Sequence, residues 1–168
     1  MSLARAAIDA AGFGDAVRRR AAGGALDAAD LVRAAALDLL VLGAAADEVR
    51  RADVGDEVRI HLGRAPEATE ALVVIDARET KRGTELLRHT ALARLALPAQ
   101  GRLCVDFGVV GLEIAQVCLA FGASELAGPL SDRRALALAS SGAAPTKRAA
   151  LAGYVTRAQR TPVFVEAR

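Results

Sequence analysis

The sequence has 168 residues, of which 53% are hydrophobic and 25% are charged, and its net charge is +2. This length and composition predict one globular domain with a core of its own. Acidic and basic residues are intermixed and no apolar run approaches membrane length, so we expect neither a nucleic-acid partner nor a membrane span. We therefore expect a cytoplasmic single domain with a helical lead-in (1–56), a β/α core (57–130) and C-terminal helices and a tail (131–168).

Helices interrupted by glycines dominate the lead-in. The apolar spacing predicts helix over residues 3–22, either continuous or broken at residues 12–14 with Asp15 starting a second segment, and a pair of glycines ends it. Asp27 is a typical N-cap residue, and we expect the helix that it starts to end near Gly43. A shorter helix is predicted over residues 44–51.

Four apolar stretches predict short strands. Residues 57–62 alternate apolar and polar side chains, which indicates a half-exposed strand with His61 directed outward. The β-branched run at 71–76 and the short run at 103–105 predict buried strands. The C-terminal stretch 161–165 is apolar enough to add an edge strand or to dock on the body. The sequence thus predicts a helix-rich α/β fold with three to four short strands.

Two helices are expected to follow the second and third strands. The first is regularly amphipathic, with leucines and alanines on its inner stripe and Arg88 and Arg94 on its outer side. The second follows a small-residue turn from Gly108 to Gly111 and has almost no polar face, which predicts burial on most sides. Strand, glycine turn and buried helix together form a β-α unit.

Three segments together resemble one known family. The segments ELLRHTALARLALPA (85–99), VDFGVVGLEIAQVCLAFGASELAG (105–128) and TKRAALAGYVTRAQRTPVFVEA (146–167) follow one another in the same order as in that family. They are similar to the C-terminal third of the radical S-adenosylmethionine enzymes of the menaquinone futalosine pathway. These are aminofutalosine synthase and dehypoxanthine futalosine cyclase, with the deazaflavin-cofactor synthases close to them. Residues 27–58 look like that family's helical lead-in, so the resemblance implies a partial (β/α) barrel.

The catalytic centre of that family has no counterpart here. Its three-cysteine motif, C-x3-C-x2-C, is absent, and Cys104 and Cys118 are too few and too far apart to hold a [4Fe-4S] cluster. Without the cluster, the cleavage of S-adenosylmethionine cannot be carried over. The resemblance therefore implies a pseudoenzyme without a cofactor, which binds a partner enzyme or a nucleoside-like ligand and is linked to menaquinone biosynthesis. Both cysteines lie in apolar stretches and are expected to be buried thiols.

The family's closing loop is partly retained. It lies toward the substrate end of the family's barrel, so the resemblance implies that a ligand site is kept there. Ser124 and Ala127 replace an acidic residue and a glycine of the usual pattern. The residues that we expect to bind a ligand are Gly108, Gly111, Gly122, Glu125 and Gly128.

Two alternatives remain open. The stretch VDFGVVGLEIA also resembles the fingerprint of dinucleotide-binding domains, but Asp106 replaces its first glycine, and a carboxylate there would repel a phosphate. A degenerate dinucleotide site is one alternative. The other is a small enzyme of unrelated chemistry, in which Asp76 or Asp106, each at the end of a predicted strand, acts as a base. Neither His61 nor His89 has neighbours that would make a metal site, and no convergent catalytic set is present, so the sequence favours a protein that is not an enzyme.

The strand count also predicts a partner. Three or four strands cannot close a barrel, and the open edges of the sheet must be covered. We therefore expect a homodimer or docking to a full-length homologous enzyme.

Overall fold

The computed structural model describes residues 2–75, 83–129 and 147–165. Within these ranges the chain is a helix-rich α/β protein, as the sequence predicts, and its sheet has five strands where the sequence predicts three to four. The described helices are α1 (Leu3–Ala10), α2 (Gly14–Ala21), α3 (Ala28–Ala35), α4 (Leu39–Val54), α5 (Gly83–Ala96), α6 (Phe107–Val110), α7 (Leu112–Leu119) and α8 (Arg148–Arg157). The strands are β1 (Glu57–Leu62), β2 (Leu72–Ile75), β3 (Arg102–Asp106), β4 (Glu125–Gly128) and β5 (Thr161–Val165). None of these helices has the length and apolar character that a membrane crossing requires.

The sheet resembles part of a (β/α) barrel. Its strand order is β2-β3-β4-β1-β5, and every neighbouring pair is parallel. β4 lies directly beside β1, which is how late and early strands meet when such a barrel closes. β5 lies on the other side of β1 and forms an edge strand, one of the two roles predicted for residues 161–165. β2 forms the opposite edge.

β4 is the strand that the sequence pattern does not predict, because ELAG has the character of a loop. It has four residues, none of them β-branched or aromatic, so its intrinsic strand preference is low. It is extended because it pairs with β1 on one side and with β3 on the other. Tertiary pairing rather than local preference therefore sets its conformation.

The apolar packing between sheet and helices lies on one face of the sheet. Ile60, Val105 and Leu126 stand in register on β1, β3 and β4 and pack into a cluster with side chains of α5, α7 and α8. A second apolar cluster contains no strand residue and joins α1 to α5 around Phe121. The helices are thus layered on one side of the sheet.

Gly43 lies inside α4 and does not end a helix. The break comes earlier, after α3, and Asp38 starts α4 by accepting a hydrogen bond from the Leu40 backbone N–H at 2.9 Å. A Cβ atom at Gly43 would lie 2.8 Å from the Phe121 ring. The glycine is therefore explained by the close approach of α4 to this ring, and the predicted boundaries at 43 and 44 are wrong.

Arg94 is fully buried, although the helical periodicity predicts an outward position for it. Its Nε donates to the Gly122 carbonyl at 2.8 Å, Nη1 donates to the Gly101 carbonyl at 2.6 Å, and Nη2 donates to Ser124 Oγ at 3.0 Å. Burial lowers the pKa of Arg94 to about 10, against the opposing effect of the Asp53 carboxylate. The guanidinium is thus charged at neutral pH, and because it is buried it needs these hydrogen-bond acceptors and the Asp53 carboxylate.

Asp53 connects Arg94 to a second buried arginine, Arg20. The two carboxylate oxygens of Asp53 accept hydrogen bonds from Arg20 at 3.0 and 2.8 Å, and Oδ2 lies 3.5 Å from Arg94 Nη1. Arg20 also donates to two backbone carbonyls just after α5, at 2.7 and 3.0 Å. Together these contacts tie α2, α4 and α5 to the amino ends of β3 and β4. We call the following four residues the buried ion network: Arg20, Asp53, Arg94 and Ser124.

Replacing Arg94 by methionine is expected to lower the free energy of unfolding by about 3 kcal/mol or more, because Ser124, two carbonyls and Asp53 lose a buried partner. Urea denaturation at neutral pH measures the change. Arg51→Met is the matched control, since the Arg51 side chain is 60% exposed and its ion pairs lie at the surface. We expect the control to change stability by less than about 1 kcal/mol. Equal losses in the two variants would contradict the buried ion network.

Candidate functional site

The sheet face opposite α5, α7 and α8 is polar. Cys104 and Ala127 are fully buried, yet neither belongs to an apolar cluster. Cys104, Glu125 and Arg59 are in register across β3, β4 and β1, and residues in register point to the same side of a sheet. The polar face consists of the side chains that alternate with the apolar core residues of these three strands: Glu57, Arg59, His61, Arg102, Cys104, Asp106, Glu125 and Ala127.

Glu125 is the centre of the polar face and is only 2% exposed. Its Oε2 lies 2.5 Å from Nε2 of His61 on β1, and its Oε1 accepts a hydrogen bond from Nη1 of Arg102 on β3 at 3.1 Å. His61 lies toward the carboxyl edge of the sheet and Arg102 toward the amino edge. Each carboxylate oxygen therefore has a partner on a different neighbouring strand.

The charge state of Glu125 determines the direction of its hydrogen bond with His61. Burial by itself would raise the pKa of Glu125, but the hydrogen bonds and charges of His61 and Arg102 outweigh it, and the pKa lies below its usual value. The carboxylate is thus ionised at neutral pH and can only accept hydrogen bonds, so His61 Nε2 is the donor. Nδ1 makes no hydrogen bond with any residue in the described ranges, and the His61 side chain is 19% exposed. The imidazole is held through Nε2, and its side chain remains partly exposed.

The structure corrects the predicted position of His61. It is half-buried and paired with Glu125, whereas the alternation along β1 indicated an outward, exposed side chain. His61 and Glu125 are 64 residues apart, and no local motif connects them. The available signal was the resemblance to a barrel, because barrel closure places a late strand beside the first one. His89 lies exposed on α5, as expected from its polar position.

The predicted pair of strand-end aspartates is described only in part. Asp106 ends β3 on the polar face, and its Oδ1 accepts a hydrogen bond from the Gly108 backbone N–H at 2.8 Å, which starts α6. Asp76 lies outside the described residues. The hypothesis that these two carboxylates lie together at one edge of the sheet therefore stays a prediction.

The predicted ligand-binding glycines lie in two places. Gly108, Gly111 and Gly128 are at the carboxyl edge of the sheet, where α/β folds bind their ligands. Gly128 has a φ of +152°, and a Cβ atom there would lie 2.6 Å from the Phe107 ring, so this position requires glycine. Gly122 precedes β4 at the amino edge, and its carbonyl accepts from the buried ion network. Of the five predicted residues, Glu125 alone belongs to the polar face as defined above.

Neither cysteine has the properties of a reactive thiol. Burial raises the pKa of Cys118 to about 11. Burial, together with the negative charges of Glu125 and Asp106, raises the pKa of Cys104 further. Both are free, buried and protonated at neutral pH, as the sequence predicts. The described residues include no group of three or more histidine, cysteine or acidic side chains that could hold a metal ion.

A polar depression lies at the turn between α1 and α2. It is lined by Asp9, Asp15 and Arg18 together with two glycines. Arg18 pairs with both carboxylates at the surface, so these charges already have partners. The depression offers no buried polar group to a ligand, which leaves the polar face as the candidate site.

Replacing Glu125 by glutamine tests the electrostatics of the site through pH. Because the pKa of Glu125 is lowered by folding, its ionised form stabilises the fold at neutral pH, and this stabilisation is lost as the pH falls through the folded-state pKa. We expect the stability difference between the wild type and Glu125→Gln to be largest at neutral pH and to shrink on acidification. Urea denaturation at several pH values down to about pH 3 measures it.

The difference between the two proteins isolates Glu125, because other carboxyls with lowered pKa, such as Asp30 and Asp56, titrate in both. Glu113→Gln is the control, since Glu113 is exposed on α7. Its difference from the wild type is expected to stay constant with pH. A constant difference for Glu125→Gln as well would contradict the ionised, paired state of Glu125.

Comparison with known proteins adds no assignment: no family model matches the sequence, and no curated protein does.

Proposed function

We propose that this protein is a non-catalytic, radical-S-adenosylmethionine-like homologue that binds a small nucleoside-like ligand on the polar face and serves as a binding or accessory protein. The observation that carries the proposal is the buried Glu125 carboxylate, which holds His61 and Arg102 in fixed positions. The nucleoside character of the ligand, and the link to menaquinone biosynthesis, rest on the resemblance of residues 85–99, 105–128 and 146–167 to that family.

The cost of burying Glu125 supports a functional role for it. Removing a carboxylate from water is expensive, and an apolar residue at the same position is often as stable as a buried ion pair. Titratable groups with a shifted pKa are concentrated at functional sites. Glu125 combines these features, since it is buried, lies at the centre of the sheet and has a lowered pKa.

The two partners of Glu125 supply hydrogen-bonding groups to a ligand. The side chains of His61 and Arg102 are 19% and 32% exposed, so both remain accessible. Nδ1 of His61 is available for a hydrogen bond with a ligand, and the remaining N–H groups of Arg102 donate to carbonyl or ring nitrogen acceptors. A nucleoside carries both kinds of group.

The absence of a cluster motif supports binding rather than the family's radical chemistry. The chain has two cysteines, whereas the cluster needs three clustered thiolates at least. One specific observation favours a second candidate, a small acid-base enzyme. The His61–Glu125 contact orients an imidazole as a buried carboxylate does in catalytic pairs. This candidate predicts turnover of a bound ligand that His61→Gln abolishes while binding persists.

The open edges of the sheet support a partner. β2 and β5 each pair with a single strand in the described ranges, and unpaired strand edges favour association. We propose that a second copy, or a full-length homologous enzyme, covers one of these edges. Light scattering after size exclusion is expected to give a dimer. A monomer at all accessible concentrations contradicts the homodimer, and a pull-down with the full-length homologue then tests the other partner.

A thermal-shift panel tests the binding function. The panel holds adenosine, inosine, S-adenosylmethionine and NAD, and we expect one of the nucleosides to raise the melting temperature. A ligand at about 100 times its dissociation constant stabilises a fold by about 2.7 kcal/mol, which corresponds to a shift of several degrees. His61→Gln is expected to weaken the shift, because the amide keeps a donor for Glu125 but lacks the second ring nitrogen, Nδ1, that faces the ligand in this proposal.

His89→Gln is the matched control, since His89 is exposed on α5 and lies outside the polar face. It is expected to leave the shift unchanged. No response to any member of the panel, or an equal loss in both histidine variants, would refute the proposed function. A response to NAD alone would instead support the dinucleotide-binding alternative.

A further inference from the structure

We infer that Arg59 forms an anion subsite on the polar face, so that the ligand carries a phosphate or carboxylate group. This inference rests on the proposed function and specifies its ligand class. Arg59 lies on β1, near the centre of the sheet, in register with Glu125 on β4 and Val163 on β5. Its side chain is on the same face as His61, two residues further along the strand.

Arg59 is a half-buried arginine without a partner in the described part of the chain. Each of the other buried or half-buried arginines in these ranges donates to a carboxylate or a backbone carbonyl. These paired arginines are Arg5, Arg20, Arg50, Arg88, Arg94, Arg102 and Arg160. A partly desolvated cation without a counter-charge is unfavourable. Arg59 therefore departs from the pattern that the rest of this protein follows.

The neighbouring carboxylates do not neutralise Arg59. Glu125 directs its two oxygens at His61 and Arg102, although its backbone is in register with that of Arg59. Glu57, on the same face of β1, is exposed and makes no ion pair with Arg59. Asp106 is separated from Arg59 by β4, which is a distance of about two strand spacings, or roughly 10 Å.

The Arg59 guanidinium is bound to no carboxylate in the described ranges and can therefore bind an anionic group. Arg59 and Arg102 lie on strands on either side of β4, and the Glu125 carboxylate on β4 is hydrogen-bonded to Arg102 and not to Arg59. A guanidinium presents five donors in a planar fork that matches a phosphate or a carboxylate. His61 lies about 7 Å further along the strand, so one small molecule can contact both side chains.

Three probes distinguish binding of an anionic group by Arg59 from binding of the nucleoside itself. These are adenosine, adenosine 5′-monophosphate and adenosine 5′-carboxylate, which share one nucleoside and differ in the group at the 5′ position. Isothermal titration calorimetry measures their dissociation constants with the wild type and with Arg59→Gln. We expect at least one anionic probe to bind the wild type about tenfold more tightly than adenosine, and more weakly as salt is added.

Arg59→Gln is expected to remove this preference while the affinity for adenosine stays unchanged. Arg59→Lys keeps the charge without the planar fork and is expected to retain part of the preference, which also tests the site with a more conservative variant. Arg64→Gln is the matched control, because it removes an exposed arginine just after β1, and it is expected to leave all three affinities unchanged.

The outcomes distinguish this inference from the proposed function. Equal affinities of the three probes for the wild type would overturn the anion subsite and leave nucleoside binding intact. A preference for the anionic probes that persists in Arg59→Gln would place the anion elsewhere and would also overturn it. No binding of any of the three probes would refute both. Which of the two anionic probes binds more tightly identifies the group as phosphate or carboxylate.

Discussion

The buried charge of Arg94 is the constraint on which the rest of the structure depends. A guanidinium that is removed from water must have partners, and Arg94 finds them in Asp53, two carbonyls and Ser124. Ser124 Oγ also accepts from the Leu103 backbone N–H at 3.0 Å, which aligns the beginnings of β3 and β4. The next residue is Glu125, so the contacts that fix α5 at the amino edge of the sheet also fix the carboxylate at the centre of the polar face.

The two faces of the sheet serve different purposes. Ile60 and Leu126 belong to the apolar face, which packs against helices and supplies much of the hydrophobic stabilisation. The side chains that alternate with them, among them His61 and Glu125, would line the interior of a closed barrel. In this five-stranded sheet the same side chains can contact a ligand, and the alternation of apolar and polar residues along the strands stays the same. The alternation along β1 thus places Ile60 in the apolar core and His61 in the candidate site.

Local patterns predict most of the fold, whereas long-range pairing decides the site. Strands β1, β2, β3 and β5 follow from apolar runs and alternation, because burial of one or both faces leaves that trace in the sequence. The sequence of β4 has no such pattern, since its four residues are extended only through pairing with both neighbouring strands. The periodicity wrongly predicts Arg94 on the outer side of its helix for a related reason. It reflects only that Arg94 is polar and carries no information about the nearby Asp53. His61 and Glu125 meet only once β4 lies next to β1.

The most direct test of this account is a titration of the ¹⁵N-labelled protein with adenosine and with adenosine 5′-monophosphate, followed by two-dimensional NMR. The polar-face account predicts that the largest amide shifts cluster at residues 59–63, 102–106 and 125–128, which lie on three adjacent strands. His61→Gln is expected to reduce them. Shifts that cluster instead at the depression between α1 and α2, or spread without a centre, would contradict the claim that the ligand binds across β1, β3 and β4.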